Sequence, residues 1–148
     1  MNPRFSKTWD GLPVSKVPPF GAAIIIYKLE KNIPYFLILH RKHKGIDYEG
    51  RWAWGPPAGA RFPGEEIEVC MKRELFEETG LQVDCKELII AEKSWSLYYG
   101  EVDNDVTISL SEEHDRFLWV DFDEAISRCS PEIVKDQIRY IYKLISVR

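Results

Sequence analysis

The apolar positions of this 148-residue chain change period several times, and each change marks an element. Residues 21–28, GAAIIIYK, are nearly all apolar and rich in β-branched side chains. That suits a strand buried on both faces in the middle of a layered sheet. Residues 35–40, YFLILH, read as a second strand, joined to the first as a hairpin through LEKNIP with Asn32 at the turn. Residues 51–55, RWAWG, form a short strand with Trp52 and Trp54 alternating onto one side. Over residues 65–79 the period becomes helical, and Gly80 stops the helix. Residues 81–85, 88–92 and 94–99 read as strand pieces, and in the last of these Trp95, Leu97 and Tyr99 alternate with Ser94, Ser96 and Tyr98. Residues 105–110 place Val106, Ile108 and Leu110 on one face, the mark of a strand with one buried side. A last short strand over 117–120 and a short helix over 123–128 follow. Ser130 then caps a final helix with Pro131 in its first position, and Val134, Ile138, Ile141 and Ile145 supply its core stripe. This order predicts an α/β fold, a mixed sheet covered by helices on two sides, in one domain over 1–148. Residues 1–19 show no period and carry Pro3, Pro13, Pro18 and Pro19, so they read as an irregular surface leader pinned by packing of Trp9.

The helix over 65–79 carries the chemistry. On a wheel of about 100° per residue, Ile67, Cys70 and Met71 fall on the same side as Glu74, Glu77 and Glu78. The carboxylates continue the apolar face, which an amphipathic helix turns inward. Gathering acids there costs hydration, and the C-terminal end of the helix dipole disfavours negative charge. Arg73 alone cannot balance three acids, whereas hard divalent cations with oxygen ligands can. The loop before the helix, from Pro56-Pro57-Ala58-Gly59 through Pro63-Gly64, has proline and glycine at both ends and fixes backbone amides and carbonyls beside the helix start.

This stretch resembles the Nudix box, G-x5-E-x7-R-E-U-x-E-E-x-G-U with U a bulky aliphatic. Every defined position is filled, by Gly59, Glu65, Arg73, Glu74, Leu75, Glu77, Glu78, Gly80 and Leu81. The resemblance implies a Nudix α/β/α sandwich with the box as loop, helix and loop against the sheet. It also implies a metal-dependent hydrolase that cleaves the pyrophosphate linkage of a nucleoside diphosphate joined to another moiety, with Mg²⁺ or Mn²⁺ as cofactor. Carried over by position, Glu74 and Glu78 are the principal metal ligands, with Glu77 in the same cluster and a backbone carbonyl from Ala58. Glu74 helps to activate water, Arg73 orients the carboxylates, and Glu65 pairs with Arg73 or with a metal-bound water. Gly59 and Gly80 are structural positions of the box. Ala58 stands where many members have Gly, and Phe62 where many carry an acid. Several members use a Glu in the loop before a late Trp strand as base or extra ligand. Glu112 and Glu113 precede Trp119, and the spacing favours Glu113.

Charge and composition narrow the partners. The net charge is -4, so there is no basic footprint for a nucleic-acid polymer. No apolar run approaches membrane-spanning length and no signal-peptide core opens the chain. Cys70, Cys85 and Cys129 are widely spaced and suggest reduced thiols in a cytoplasmic protein. The run His40-Arg41-Lys42-His43-Lys44 follows a strand end and either contacts phosphates or forms a solvated loop, with Arg41 as the substrate contact. One of the Trp52 and Trp54 indoles is a candidate to stack on a base, and Trp54 is taken as a substrate-binding residue. WGPPAG over 54–59 and LSEEH over 110–114 resemble the diadenosine tetraphosphate hydrolase branch. Dinucleoside polyphosphates and nucleoside triphosphates, oxidised ones included, are therefore the favoured small-molecule substrates, with ADP-ribose a further case. A non-catalytic nucleotide-sensing module is the alternative class, and the intact box argues against it. An isomerase on the same scaffold has no persuasively placed Cys. The chain admits a homodimer.

Overall fold

The computed structural model describes residues 11–91 and 94–146. Strands β1 (Gly21–Glu30) and β2 (Ile33–Arg41) form the expected hairpin, longer than the apolar runs alone indicate. Its turn residues, Lys31 and Asn32, have φ of 52° and 67°. This left-handed pair matches the twist of tight hairpins. Two short strands, β3 (Trp54–Gly55) and β4 (Ala58–Ala60), precede helix α1 (Ile67–Thr79). Then come β5 (Lys86–Leu88), β6 (Trp95–Glu101), β7 (His114–Val120), α2 (Phe122–Arg128) and α3 (Glu132–Ser146).

The strands join in one mixed sheet ordered β3-β2-β1-β6-β5, with β4 also paired to β1 and β7 to β2. β1 runs parallel to β6 and antiparallel to β2 and β4. Alternate side chains of β1 and β2 build two cores. Ala22, Ile24, Ile26, Leu37 and Leu39 meet Cys70, Met71 and Leu75 of α1. Ala23, Ile25, Tyr27, Phe36 and Ile38 meet Ala125 of α2 and Val134, Ile138 and Ile141 of α3. The expected α/β/α layering follows, because a central strand with every position from Ala22 to Tyr27 apolar and buried demands a cover on both faces.

Several expected elements differ. Residues 81–85 and 105–110 lie outside the strands. Val106, Ile108 and Leu110 do turn inward, packing around the α1 layer, while Thr107 and Ser109 stay exposed. Ser109 N–H donates to the Thr79 carbonyl at the end of α1. Alternation thus reports which side is buried and does not require a ladder partner. Of the piece expected over 88–92, Leu88 ends β5, and Glu92 lies outside the described residues. The strand expected over 51–55 shortens because Trp52 has φ 67°, which turns its exposed indole away from the buried Trp54. At α3 the Pro131 carbonyl, and not Ser130, accepts the first helical bonds, from Val134 and Lys135.

Trp9 also lies outside the described residues, but the leader is tied down where it is described. Val14 and Ser15 are buried, so this part is more than a surface coating. Arg61 donates to the Pro19 carbonyl at 2.7 Å, to Ser15 Oγ and the Val17 carbonyl at 2.9 Å each, and to the Glu65 carbonyl at 2.7 Å. One guanidinium therefore joins the leader to the loop before α1. Replacing Arg61 by Ala should lower stability by about 2–3 kcal/mol, the scale for losing hydrogen bonds from a charged donor. Urea unfolding measures the loss, and hydrogen exchange should rise at residues 15–19; a change within about 0.5 kcal/mol, the range of ordinary surface substitutions, would contradict the clamp.

Candidate active site

Helix α1 ends on Gly80, whose φ of 76° is left-handed and whose N–H bonds the Phe76 carbonyl. A residue with a Cβ is disfavoured there. The helix starts at Ile67, two residues later than the periodicity suggests, because Glu66 is extended. Glu65 instead accepts from the Phe62 N–H at 3.0 Å and from Arg73 Nε at 2.8 Å.

Two of the three expected carboxylates face inward. Glu74 is 9% exposed and Glu78 only 2%. The Glu77 side chain is 55% exposed, which corrects its placement in the inward cluster. The phase explains this: Glu77 lies about 100° from the middle of the arc set by Cys70, Met71, Glu74, Leu75 and Glu78 at 100° per residue. It rests on the rim, 3.4 Å from Arg73, and its charge still reaches Glu74.

Arg73 is the hub of the acidic face. It contacts Glu65, Glu74 at 2.8 Å and Glu77, and donates to the Ala60 carbonyl at 3.0 Å. Phe62 lies 4.0 Å from the Arg73 guanidinium, so the aromatic ring at this departure from the family pattern covers the hub. Glu78 instead accepts from the Ala58 N–H at 3.1 Å. Beside it, Gly59 leaves room for Glu74: a Cβ there would fall 1.9 Å from the Glu74 Cδ. Strand β4 thereby presses its backbone onto the acids of α1.

Burial pushes the Glu74 carboxyl up to about 7, against the opposing pull of Arg73, with Glu77 and Glu113 adding to the rise. Burial, then the charges of Glu113 and Glu74, push Glu78 well above the usual carboxylate range, opposed by the Ala58 amide and Arg41. Glu65 moves the other way, held down chiefly by its hydrogen bonds from Arg73. Glu113 sits just before β7, where its carbonyl accepts from Lys42 N–H and its N–H donates to Ser111 Oγ. Arg41 ends β2 on the same side of the sheet as Leu37 and Leu39, the α1 side. The fold therefore brings Glu74, Glu78, Glu113, Arg41 and the Ala58–Gly59 backbone to one place.

Trp54 does not join them. It is 1% exposed, its Nε1 donates to Glu49 at 3.0 Å, and Arg116 and Arg128 lie 5.1 and 5.5 Å from its ring. With its faces covered it belongs to the core on the α2–α3 side, which overturns the expectation that it binds substrate. His40 also leaves the expected basic loop: it is fully buried beside Trp54, with Asp115 2.9 Å from Nδ1 and the Tyr48 carbonyl 2.7 Å from Nε2. Lys42–Lys44 form the exposed turn that follows. The partners of Arg61 in the leader and of His40 at Asp115 are distant in the chain and so not legible locally; for His40 the pairing of β2 with β7 is the missing signal.

Among the described residues, no three His, Cys, Asp or Glu side chains converge as a ready-made metal cage. The donors present still fit Mg²⁺ or Mn²⁺. Such ions are commonly held by one or two carboxylates and completed by water and substrate phosphates. Two carboxyls kept uncomfortable by burial, beside a glycine that makes space for one of them, supply that partial set.

Matched against known protein families, residues 17–144 fit the NUDIX domain. The chain belongs to the Nudix family. As a Nudix hydrolase it is 31% identical to the asymmetrical bis(5'-nucleosyl)-tetraphosphatase of Rattus norvegicus, over 75% of this chain and 80% of that one. An RNA pyrophosphohydrolase of Cronobacter sakazakii is 41% identical over 49 residues, only 28% of its length. Among solved structures, the binary complex of C. elegans Ap4A hydrolase matches with a TM-score of 0.68 at 21% identity, over 86% of this chain and 99% of that one. At that identity the likeness concerns the fold alone. No helix among the described residues of this Nudix hydrolase is long and apolar enough to cross a membrane.

The pKa directions give opposite stability signatures in metal-free protein. Glu74 and Glu78, raised on folding, contribute stability that is fully present below about pH 4.5 and is lost as pH rises, for Glu74 through about 7. Glu65, lowered on folding, contributes stability present above about pH 4.5 and lost as pH falls below it. Glu78→Gln should therefore melt higher than the wild type at pH 8 and lose that advantage near pH 4, whereas Glu65→Gln should melt lower at pH 8. Calorimetric scans in the presence of a chelator check both signs.

Proposed function

We propose that this Nudix hydrolase cleaves a dinucleoside polyphosphate, of the tetraphosphate class, with Mg²⁺ or Mn²⁺. The observation that carries the reading is Glu78, a carboxyl almost wholly removed from water at the end of the acidic helix and opposed by two other acids. Such a group is costly unless its neutral form or a bound cation offsets the burial. The similarity to the tetraphosphatase, which spans most of both chains, supports the substrate class; the match to the RNA enzyme spans a much shorter segment. The net charge of -4 also favours a small nucleotide over a polymer.

In this reading Glu74 and Glu78 hold the ion, with the Ala58 carbonyl as a backbone donor from β4. Bound there, a divalent ion neutralises phosphate charge and favours ionisation of a water. Arg73 fixes the direction of the Glu74 carboxylate and is itself fixed by Glu65. Glu77, on the rim, screens Arg73 and adds negative field. Glu113 accepts the proton of the attacking water as its oxygen bonds to phosphorus and the anhydride P–O bond breaks. Arg41, with the exposed basic turn beyond it, draws in the anionic chain. The free thiols of Cys70, Cys85 and Cys129 support a reducing compartment such as the cytoplasm.

The test is phosphate and nucleotide release from a panel with Mg²⁺: diadenosine polyphosphates, nucleoside triphosphates, oxidised nucleoside triphosphates, ADP-ribose and 5'-triphosphorylated RNA. The tetraphosphate should show the highest kcat/KM. Glu74→Gln and Glu78→Gln should each lower kcat by several orders of magnitude while circular dichroism shows the fold intact. Near wild-type turnover by either variant would remove it from the ligand set, and preference for another panel member would replace the substrate.

A further inference from the structure

Among the described residues, the buried side-chain nitrogen or oxygen without a hydrogen-bond partner is Nδ1 of His114. The residue is 8% exposed, and no protein group among the described residues bonds that nitrogen. An orphan of this kind is uncommon in a native fold and calls for a physical reason. A partner that arrives with the substrate is one such reason, and the position of the ring supports it.

His114 opens β7 and pairs with Arg41 at the end of β2, one step beyond an irregularity in the register at His40 and Arg41. Directly paired residues share a side of the sheet. Arg41 faces the α1 side and its charge reaches both Glu78 and His114. The ring is thus next to Glu113 in the chain and next to Arg41 across the ladder, at the edge of the acidic site.

The electrostatic surroundings select the kind of ligand. Burial, and then Arg41, hold His114 down to about 4, with His40 and His43 adding to the effect and Asp115 opposing it. The imidazole is therefore neutral at neutral pH, with one N–H and one lone pair. Held beside a guanidinium and the basic turn Lys42–Lys44, it lies where an anion is favoured. A neutral N–H suits an anionic oxygen without adding another buried charge.

We propose that His114 and Arg41 form a subsite for the polyphosphate chain of the substrate, in which His114 Nδ1–H donates to a phosphate oxygen beside the guanidinium. This deepens the function proposed above and rests on that reading for the identity of the full substrate. His114 here is a binding and positioning residue. It exchanges no proton with the reacting atoms.

The experiment uses inorganic tripolyphosphate as the probe, with Mg²⁺, on the full chain labelled with ¹⁵N in histidine. Saturating tripolyphosphate should shift the Nδ1 resonance of His114 in the direction of a stronger donor, with Nδ1 protonated. In calorimetry, His114→Leu should weaken tripolyphosphate binding about tenfold, the scale of one lost hydrogen bond to a charged acceptor. His114→Asn, whose amide N–H₂ can reach the position of Nδ1–H, should recover most of that loss. A purely structural orphan predicts the reverse pattern: Leu at this position raises the melting temperature and leaves affinity unchanged. An unmoved His114 resonance at saturation, or equal affinity of wild type and His114→Leu, overturns the subsite. If the diadenosine polyphosphates show no turnover while His114 responds to tripolyphosphate, the substrate class proposed above fails and the subsite stands.

Discussion

The structure depends on the contact between the backbone of β4 and the inner face of α1. Glu78 accepts from the Ala58 amide, and the carboxyl of Glu74 occupies the space that a side chain at residue 59 would fill. Neither acid reaches bulk water freely, and both resist ionisation as a result. The fold accepts this cost because the helix is committed elsewhere. Cys70, Met71 and Leu75 lock the same face into the core against β1 and β2, and Gly80 ends the helix one residue after Thr79. The acids cannot turn outward without withdrawing those apolar side chains.

Around this contact the remaining groups divide by distance. Arg73 answers Glu65, Glu74 and Glu77 but leaves Glu78 to the backbone, so its own charge serves one flank. The other flank is open to the influence of Arg41, at the end of β2, and Glu113, just before β7, which meet because β2 pairs with β7. On the opposite side of the sheet, His40, Trp54, Glu49, Asp115 and Arg116 form a polar network that holds the end of β2 and the start of β7 together. That network supports the site from behind and keeps Trp54 in the core on that side.

Much of this was legible in the residues. A strand with an unbroken apolar run such as 22–27 requires two covers, and β1 has them. The acidic helix face, its glycine stop and the loop before it were readable from spacing alone, since helix phase is a local property. What remained hidden was set by pairing. Residues 106–110 have the alternation of a strand but lie against the end of α1, because alternation encodes a buried side and leaves the partner unspecified. Glu77 differs from its neighbours by a modest angle on the wheel, enough to place it at the rim. Trp52 and Trp54 look equivalent two residues apart until the left-handed backbone at Trp52 separates them. His40 appeared as part of a basic run because Asp115 and Tyr48 are invisible to a local reading.

The central claim is that burial keeps Glu74 and Glu78 from ionising until a divalent cation takes their oxygens. Titrating the protein with Mg²⁺ at pH 6.5 in buffers of different ionisation enthalpy measures the protons exchanged. The account predicts net release of about one proton or more per ion bound, since carboxyls held neutral by burial must ionise to serve as ligands. Binding with no proton release, or release that persists in full when both residues are changed to Gln, would contradict it.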